Sequence, residues 1–551
     1  MGSRQVSTTD LAGVLGPDAL GRFGLPGRIT VAGLGVSGVS AARALAALGA
    51  TVTAVDNGDG DAHRAKAAEL AELGIEVRLG HLPDGTRAGE TLPEGTELVV
   101  TSPGWKPDSP LFLEAAKAGV DVVGDVEIAW RLREAGVALR AARAEASPKG
   151  ASGGAPGTAG TAGTGDAAQA LEGTGGAAGP TGSAEAPVRG AAEWLAITGT
   201  NGKTTTTQML ASILKAAGLR TAAVGNIGTP IIDVVLGEQH YDVLAVELSS
   251  YQLHWAPSLR AHSAAVLNLA PDHLDWHGSM EAYAADKGRI YEGNRVACVY
   301  NVADPATEKL VENADVEEGC RAIGFTLGAP GPSMLGVVDG ILVDRAFVEN
   351  RQKNAQELAQ VEDVNPPAPH NIANALAAAA LARAFGVEPR AVRDGLRDFR
   401  PDAHRVAHVD VVEGVTYVDD SKATNTHAAE ASLAAFEPVV WIAGGLAKGA
   451  TFDELVQKSA KRLRGVVLMG ADRALIADAL ARHAPEVPVV DLDRTDTGAM
   501  LAAVREAARL AERGDTVLLA PACASMDMFA NYNKRGDAFA DAVRELAADS
   551  A

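Results

Sequence analysis

The chain has 551 residues, which is too long for a single hydrophobic core and predicts about three or four domains. Apolar residues make up 47% of the sequence, so globular domains can form, yet no apolar run approaches the length of a membrane span. A net charge of −21 and a polar first stretch predict a cytoplasmic protein that binds neither nucleic acid nor an anionic membrane surface. Its three widely spaced cysteines predict neither disulfides nor structural zinc.

Predicted strands alternate with predicted helices along most of the chain, which indicates α/β domains with mainly parallel sheets. The pattern divides the chain into domains at residues 1–137, 191–400 and 401–551. Residues 138–190 are rich in Ala, Gly, Thr, Ser and Pro and cannot bury enough apolar surface to offset the entropy of ordering. We therefore predict a disordered insertion without secondary structure there.

In the first domain, a predicted strand at 27–32 leads into Gly33-x-Gly35-x-x-Gly38 and an alanine-rich helix. The next predicted strand ends at Asp56, where an acidic residue would lie near a ribose. By itself, this motif fits an NAD site, a site for another phosphate-bearing nucleotide, or a tight turn without a ligand.

The second domain opens on a pattern typical of a nucleoside-triphosphate site. Trp194–Ile197 predicts a buried strand, Thr198–Gly202 a glycine-containing turn, and Lys203 the start of a helix. Such a turn directs backbone N–H groups and the positive end of the helix at an anion. Lys203 would reach the β- and γ-phosphates and the Thr204 hydroxyl would hold Mg²⁺, although Ile197 stands where the general motif has glycine.

Further polar residues follow predicted strands of the second domain. Glu247 comes directly after an apolar strand and could bind Mg²⁺ beside the phosphates, or be an exposed residue that caps the next turn. His273 could be a metal ligand, an acid–base group or a structural residue. Lys287, taken alone, is typical of a solvated lysine on a helix surface.

Three polar loops follow predicted strands of the third domain, at 419–425, 444–448 and 521–527. The first reads Asp-Asp-Ser-Lys-Ala-Thr-Asn and combines acidic, basic and hydroxyl groups, which suits a zwitterionic ligand. Each loop alone could be an ordinary helix cap, but three at one sheet edge predict a binding site.

Several of these segments together resemble the Mur ligases of peptidoglycan synthesis. The resemblance rests on TGTNGKTT, ELSSYQL, DHLD, the H-N-x-x-N stretch at 370–374 and His404-Arg405, in the order of that family. DDSKATN, GNIG at 225–228 and PACASMD resemble the branch that adds D-glutamate. The branch that adds diaminopimelate or lysine would carry Asp-Tyr-Ala-His at the DDSKATN position, and folylpolyglutamate synthases Asp-x-Ala-His-Asn-Pro. The alternative is a Mur-type or folylpolyglutamate-type ligase that adds another amino acid.

The resemblance implies a Rossmann-like first domain that binds the UDP part of the substrate, a P-loop ATPase-like second domain and a Rossmann-like third domain for the amino acid. It implies that the carboxylate of UDP-N-acetylmuramoyl-L-alanine attacks the γ-phosphate of ATP. D-glutamate then attacks the resulting acyl phosphate. It also implies small-molecule partners only, no membrane insertion and a monomer.

The resemblance further assigns roles to residues. Lys203, His273 and Lys287 would be catalytic, and two Mg²⁺ ions would be held by Thr204, Glu247, His273 and Lys287, the last as a carbamylated lysine. ATP would be bound by Gly199, Thr200, Asn201, Gly202, Lys203, Thr204, Thr205, Asn371, Asn374, Arg405 and Asp420. D-glutamate would be bound by Lys422, Thr424, Lys448, Ser525 and Tyr532. The UDP-substrate would contact Gly35, Val36, Ser37, Asp56, Asn57, Asn226, Ser249 and Gln252.

Two other classes of protein compete with a ligase. An NAD-dependent dehydrogenase built on GLGVSG leaves TGTNGKTT without a purpose. A P-loop ATPase that serves as a switch would need no amino acid, and leaves DDSKATN and PACASMD unexplained.

Overall fold

A computed structural model describes residues 10–16, 18–83, 85–146, 190–401, 404–494, 496 and 498–549. The described residues form three β-sheets with flanking helices, one in each predicted domain. This α/β architecture confirms the predicted fold class. Within the described residues, no helix is both long and apolar enough to cross a bilayer.

The first sheet has five parallel strands in the order β3-β2-β1-β4-β5. Because the strand order reverses between β1 and β4, the turn after β1 opens at the point where such sheets bind ligands. The elements are α1 (Asp10–Leu15), α2 (Ala19–Arg22), β1 (Arg28–Ala32), α3 (Val36–Ala47), β2 (Thr51–Asp56), α4 (Asp61–Ala71), β3 (Glu76–Leu79), β4 (Leu98–Thr101), α5 (Pro110–Ala118), β5 (Asp121–Gly124) and α6 (Asp125–Ala146).

Helix α6 corrects one predicted boundary. The insertion without secondary structure was predicted to begin at residue 138, but the helix continues to Ala146. Leu139 is fully buried, and the Arg140 guanidinium donates to the carbonyl oxygens of Val235 (3.0 Å) and Gly237 (3.2 Å). Alanine and arginine are strong helix formers, so the alanine-rich composition here extends a helix. Residues 147–189 of the predicted insertion lie outside the described residues.

The second sheet has nine strands in the order β14-β13-β12-β11-β10-β9-β6-β8-β7, parallel except at β12-β13-β14. A hairpin that turns at Asp339-Gly340 joins β12 to β13. The elements are β6 (Glu193–Thr198), α7 (Lys203–Ala216), β7 (Thr221–Gly225), α8 (Ile231–Leu236), β8 (Val243–Glu247), α9 (Ser250–His254), β9 (Ser263–Val266), α10 (Leu274–His277), α11 (Met280–Gly288), β10 (Ala297–Asn301), α12 (Pro305–Glu312), β11 (Arg321–Phe325), β12 (Met334–Val338), β13 (Ile341–Asp344), β14 (Gln356–Gln360), α13 (Pro369–Ala384) and α14 (Pro389–Asp398).

Strand β6 lies inside this sheet with helices over both faces, so its residues 194–197 are all buried. A continuous apolar run is the expected pattern for such a strand. On one face α7 packs against α13 and α14, and the backbone of Gly395 lies so close to Ile213 that a Cβ would come within 2.4 Å of its Cα. The core therefore fixes where β6 ends and α7 begins.

The third sheet has the order β15-β16-β20-β17-β18-β19, with only β15 antiparallel to its neighbour. Because β16, β20 and β17 are adjacent, the three predicted polar loops follow neighbouring strand ends. The elements are β15 (Ala407–Val412), β16 (Val415–Asp419), α15 (Thr426–Leu433), β17 (Val439–Ala443), α16 (Asp453–Ser459), β18 (Leu463–Leu468), α17 (Arg473–His483), β19 (Val489–Asp491), α18 (Ala499–Leu510), β20 (Thr516–Leu519) and α19 (Tyr532–Asp549).

A buried carboxylate joins the first domain to the second. Glu127, on α6, is fully buried and accepts hydrogen bonds from the backbone nitrogen (2.9 Å) and hydroxyl (2.6 Å) of Ser258. Arg131 neutralises its charge at 2.8 Å. The interface therefore holds a buried carboxylate whose partners lie on both domains.

We expect Glu127→Ala to lower the free energy of unfolding by about 2 kcal/mol, because hydrogen bonds to charged groups are worth more than neutral ones. Urea unfolding followed by tryptophan fluorescence measures the change. Glu134→Ala, an exposed position on the same helix, is the matched control. Equal effects of the two substitutions would contradict this role for Glu127.

Candidate active site

The turn between β6 and α7 is held open for an anion by backbone geometry. Gly199 and Gly202 have φ values of +153° and +83°, and a Cβ at Gly202 would lie 2.4 Å from Asn374 Oδ1. Asn268 braces the turn, since its Oδ1 accepts from the Asn201 nitrogen (2.8 Å) and its Nδ2 donates to the Asn201 carbonyl oxygen (3.1 Å). The turn is thus shaped before any ligand binds.

Two lysines meet beneath this turn. Lys203 Nζ donates to the carbonyl oxygen of Gly199 at 2.9 Å, and Lys287 Nζ donates to the same oxygen at 3.0 Å. Lys287 is 2% exposed, so the interpretation of it as a surface lysine is wrong. Burial lowers the pKa of both amines, and for Lys287 the charge of Lys203 helps to hold the pKa well below its usual range.

Glu247 supplies an anion next to these lysines. It ends β8 in register with Ile197 of β6 and is 2% exposed, which excludes the alternative of an exposed cap. Its Oε1 accepts from Asn226 Nδ2 at 3.0 Å, while its buried Oε2 has no hydrogen-bond partner among the described residues. A buried carboxylate oxygen without a hydrogen-bond partner is suited to coordinate a cation.

His273 is the residue directly before α10 and has a backbone φ of +54°. Its ring centroid lies 4.9 Å from that of Tyr251. Partial burial lowers the pKa of His273, and the charges of Lys203, Lys287 and Lys448 contribute to the shift. The neutral imidazole this favours is the form that binds metals.

The predicted metal ligands suit Mg²⁺ shared with phosphates. Within the described ranges, no three His, Cys, Asp or Glu side chains are grouped to hold a metal by themselves. Mg²⁺ is usually held by one or two carboxylates together with substrate phosphates and water. Glu247 and the Thr204 hydroxyl, at the start of α7, fit that pattern.

A cleft of about 250 Å³ separates the second and third domains. It brings together six of the residues predicted to bind ATP, which are Asn201, Gly202, Asn371, Asn374, Arg405 and Asp420. Arg405 donates to the Thr205 hydroxyl across the domain boundary, and burial raises the pKa of Asp420 to about 6. The third domain therefore closes over the phosphate-binding turn.

The loops predicted to bind D-glutamate converge at the third sheet. Lys422 Nζ lies 5.6 Å from the centre of the Tyr532 ring, and Ser525 is buried. Lys448 has a φ of +50° and is exposed, and Thr424 lies in the loop between β16 and α15. Asn425, one residue further, donates to Asn201 Oδ1 at 3.3 Å.

Residues predicted to bind the UDP-substrate lie at two places. Gly35, Val36, Ser37, Asp56 and Asn57 surround the turn after β1, where Val36 is 71% exposed. Both Asp56 oxygens accept backbone N–H groups, from Leu34 (2.7 Å) and Gly58 (2.8 Å), so Asp56 shapes the turn. In the second domain, Asn226 holds Glu247, and Ser249 and Gln252 form the capping box of α9.

Sequence reasoning missed residues that shape the site from a distance. Arg535, 1% exposed on α19, donates to the Ser421 carbonyl oxygen (2.8 Å) and the Cys523 carbonyl oxygen (3.1 Å) and so ties two of the polar loops together. His370 and Phe325 line the nucleotide cleft, and burial lowers the pKa of His370 to about 4. His370 stands in the H-N-x-x-N motif and could have been found, whereas Arg535 belongs to no motif.

Family models match all three domains of the chain. The Mur ligase MurD-like N-terminal domain matches residues 27–124, the Mur ligase middle domain 197–382, and the Mur ligase glutamate ligase domain 404–523. The chain belongs to the Mur ligase family. Mur ligases are ATP-dependent amide ligases, so the glycine turn of the first domain is not evidence for a dehydrogenase.

Two curated relatives of this Mur ligase are both named UDP-N-acetylmuramoylalanine–D-glutamate ligase. The protein of Streptomyces avermitilis is 72% identical over 94% of this chain and 98% of its own length. The Thermobifida fusca protein is 53% identical over 94% of this chain and 98% of its own. A solved pseudomurein peptide ligase type C from Methanothermus fervidus, 15% identical, aligns with a TM-score of 0.50 over 95% of this chain and 100% of that one, and bears on the fold alone.

We expect Gly202→Ala to weaken ADP binding at least tenfold, because the new methyl group would collide with Asn374 and distort the turn. Calorimetric titration with ADP measures the change. Gly218→Ala is the control, since Gly218 follows the same helix with a φ of +76° and has no atom within 4 Å of a Cβ. Similar ADP affinities for the two variants would contradict the expectation that a methyl group at position 202 collides with Asn374 and distorts the turn.

Proposed function

We propose that this chain catalyses the ATP-dependent addition of D-glutamate to UDP-N-acetylmuramoyl-L-alanine in peptidoglycan precursor synthesis. The observation that carries the proposal is the meeting of two loops. Asn425, in the DDSKATN loop, hydrogen-bonds Asn201 in the phosphate-binding turn. The predicted amino-acid site therefore lies against the predicted site of carboxylate activation, and a relative that is 72% identical carries the name of this activity.

The chemistry has two steps because a carboxylate is a poor electrophile. The carboxylate oxygen of the UDP-substrate displaces ADP from the γ-phosphate of ATP and becomes an acyl phosphate. The amine of D-glutamate then attacks the acyl carbon and loses a proton. Phosphate leaves from the tetrahedral intermediate, and an amide bond has formed.

The turn at 199–205 would bind the triphosphate, with Lys203 neutralising charge on the γ-phosphoryl group as it transfers. Positioning and electrostatic stabilisation are the main demands of such a transfer. Lys203 now donates to the carbonyl oxygens of Gly199 and Thr200, both at 2.9 Å, and would turn toward phosphate when ATP binds. Asn371, Asn374, Arg405 and Asp420 would hold the rest of ATP in the cleft.

Two Mg²⁺ ions would be held by Thr204, Glu247, His273 and Lys287. When bound, Mg²⁺ neutralises phosphate charge and aligns the attacking and leaving oxygens. Glu247 Oε2, which is buried and has no hydrogen-bond partner in the part of the chain that the structure describes, fits such an ion.

Lys287 would serve as a carbamate. Its buried amine has a pKa well below the usual range, so the neutral form that reacts with CO₂ is available. The neutral amine nitrogen bonds to the carbon of CO₂ and releases a proton, so that an uncharged group beside Lys203 becomes an anion. The carbamate would then attract the charge of Lys203.

The two carboxylates of D-glutamate would be held by cations and hydroxyls, which are the groups that recognise carboxylates. In this chain they would be Lys448, Ser525, Thr424, Lys422 and Tyr532. In the first domain, the turn after β1 would bind the diphosphate of UDP. We further propose that the enzyme works as a monomer in the cytoplasm, where ATP and nucleotide-linked substrates are found.

We expect phosphate release from ATP and UDP-N-acetylmuramoyl-L-alanine to require D-glutamate. A coupled phosphate assay with and without D-glutamate, L-glutamate and meso-diaminopimelate measures the requirement. Release that is independent of any amino acid would indicate an ATPase switch, and release with diaminopimelate alone would indicate a different ligase.

We expect Lys287→Ala to reduce ligation at least a hundredfold, and bicarbonate or a short carboxylic acid to restore part of it by supplying the missing anion. In the unmodified protein, ¹³C-bicarbonate should label the lysine carbamate in an NMR spectrum. Lys215→Ala, at an exposed position of α7, is the control. Full activity of Lys287→Ala would refute the carbamate.

A further inference from the structure

A buried carboxylate stands next to Lys287 without any part in the steps above. Asp286 is 6% exposed on α11. Both its oxygens lie 2.9 Å from His254 Nδ1, and its Oδ2 lies 2.9 Å from His277 Nδ1. Arg289 Nε is 3.3 Å from its Oδ1. A carboxylate only accepts, so each imidazole donates its Nδ1–H to Asp286.

Asp286 and its two histidine partners lie on three separate helices, and each helix contains or closely follows one proposed metal ligand. His254 is on α9, which begins three residues after Glu247. His277 is on α10, which His273 precedes directly. Asp286 itself is on α11 beside Lys287. One carboxylate thus connects the segments that hold Glu247, His273 and Lys287.

His277 strengthens the connection. Its side chain is fully buried, and its Nε2 lies 2.9 Å from the hydroxyl of Ser250 at the start of α9. Its ring stacks on Tyr251, with centroids 5.5 Å apart and planes at 10°, and Tyr251 in turn contacts the ring of His273.

A second aromatic contact reaches Lys287 and the phosphate-binding turn. The His277 ring meets the ring of Tyr283 at 5.2 Å. Lys287 Nζ lies 4.7 Å from the centre of the Tyr283 ring, and the Tyr283 hydroxyl is 3.0 Å from the Thr200 hydroxyl. The imidazole of His277 therefore contacts both Tyr251, which packs on His273, and Tyr283, which packs on Lys287.

We propose that Asp286, His254 and His277 form a positioning cluster that sets the spacing of Glu247, His273 and Lys287 for Mg²⁺. The inference rests on the proposed function, because it takes those three residues as the metal site. Mg²⁺ demands near-ideal octahedral geometry, so small displacements of its ligands weaken binding. Residues that orient metal ligands typically change metal affinity 10- to 100-fold when they are replaced.

The competing interpretation is a buried ion pair that only stabilises the domain. Asp344 offers a matched comparison, since it is fully buried on β13, pairs with Arg383 at 3.0 Å and accepts two backbone N–H groups. It lies in the same sheet, on a strand far in the sheet order from β6 and β8. Asp344→Asn should therefore cost stability without changing the response to Mg²⁺.

The test measures binding of a non-hydrolysable ATP analogue by calorimetry, with and without Mg²⁺, in the full chain. We expect Asp286→Asn to reduce the Mg²⁺-dependent gain in affinity about tenfold, in the range found for residues that orient metal ligands, and to leave affinity without Mg²⁺ unchanged. We expect Asp344→Asn to lower the melting temperature and keep the full gain.

A second pair of variants covers the case in which Asp286→Asn fails to fold. His277→Ala removes the donor to Asp286, whereas the side-chain nitrogen of His277→Asn can reach the position of Nδ1. We expect the asparagine to recover part of the Mg²⁺-dependent gain that the alanine loses.

An unchanged Mg²⁺-dependent gain in Asp286→Asn, or in both His277 variants, overturns the positioning role. The positioning role is also overturned if the affinity of the protein without substitutions for the ATP analogue does not change when Mg²⁺ is added. Neither D-glutamate nor the UDP-substrate enters this measurement. A failure of D-glutamate ligation would therefore refute the proposed function separately.

Discussion

The site depends on the repulsion between two amines beneath one turn of backbone. Lys203 and Lys287 both donate to the carbonyl oxygen of Gly199, so their nitrogens lie within two hydrogen-bond lengths of each other. At the effective dielectric constant of a protein interior, two positive charges so close repel by a few kcal/mol. Burial and this repulsion together favour a neutral Lys287. Anions at this point would offset the repulsion between the two amines. Three such anions are the Glu247 carboxylate, a bound triphosphate and a carbamate on Lys287.

The architecture brings the other groups to this point through the ends of strands. Strands β6 and β8 are neighbours, which places Glu247 beside the start of the phosphate-binding turn. The third domain adds Arg405 and Asn425, whose hydrogen bonds to Thr205 and Asn201 cross the cleft. These contacts are few and polar, so the cleft can open without exposing a hydrophobic core. Substrate entry and product release need such an opening, because ATP and the amino acid are held by different domains.

Sequence patterns were sufficient for the fold class and for the turn at 198–204, because buried parallel strands and glycine-containing turns have strong local signatures. They misjudged residues 138–146, where alanine indicates a helix as readily as a low-complexity segment. Lys287 lacks any local sign of burial, since one lysine on a short helix is usually solvated, and only the family resemblance identified it. Asp286, His254 and His277 span three segments, so their grouping becomes visible only once the chain has folded.

The second domain carries the groups proposed for activation and the third domain those proposed for the amino acid. This separation bears on how specificity for the amino acid arises. Groups proposed for carboxylate activation stand on a nine-stranded sheet, whose strand ends are fixed by a large core. Most groups proposed for D-glutamate lie on loops, and loops tolerate changes of sequence more readily than strands. Arg535 limits that freedom here, because it binds the backbone of Ser421 and Cys523 and so fixes two loops relative to each other. Enzymes that share one activation chemistry can therefore differ in the amino acid that they add through changes in the loops of the third domain. Each new set of loops must still be held in place by contacts like those of Arg535.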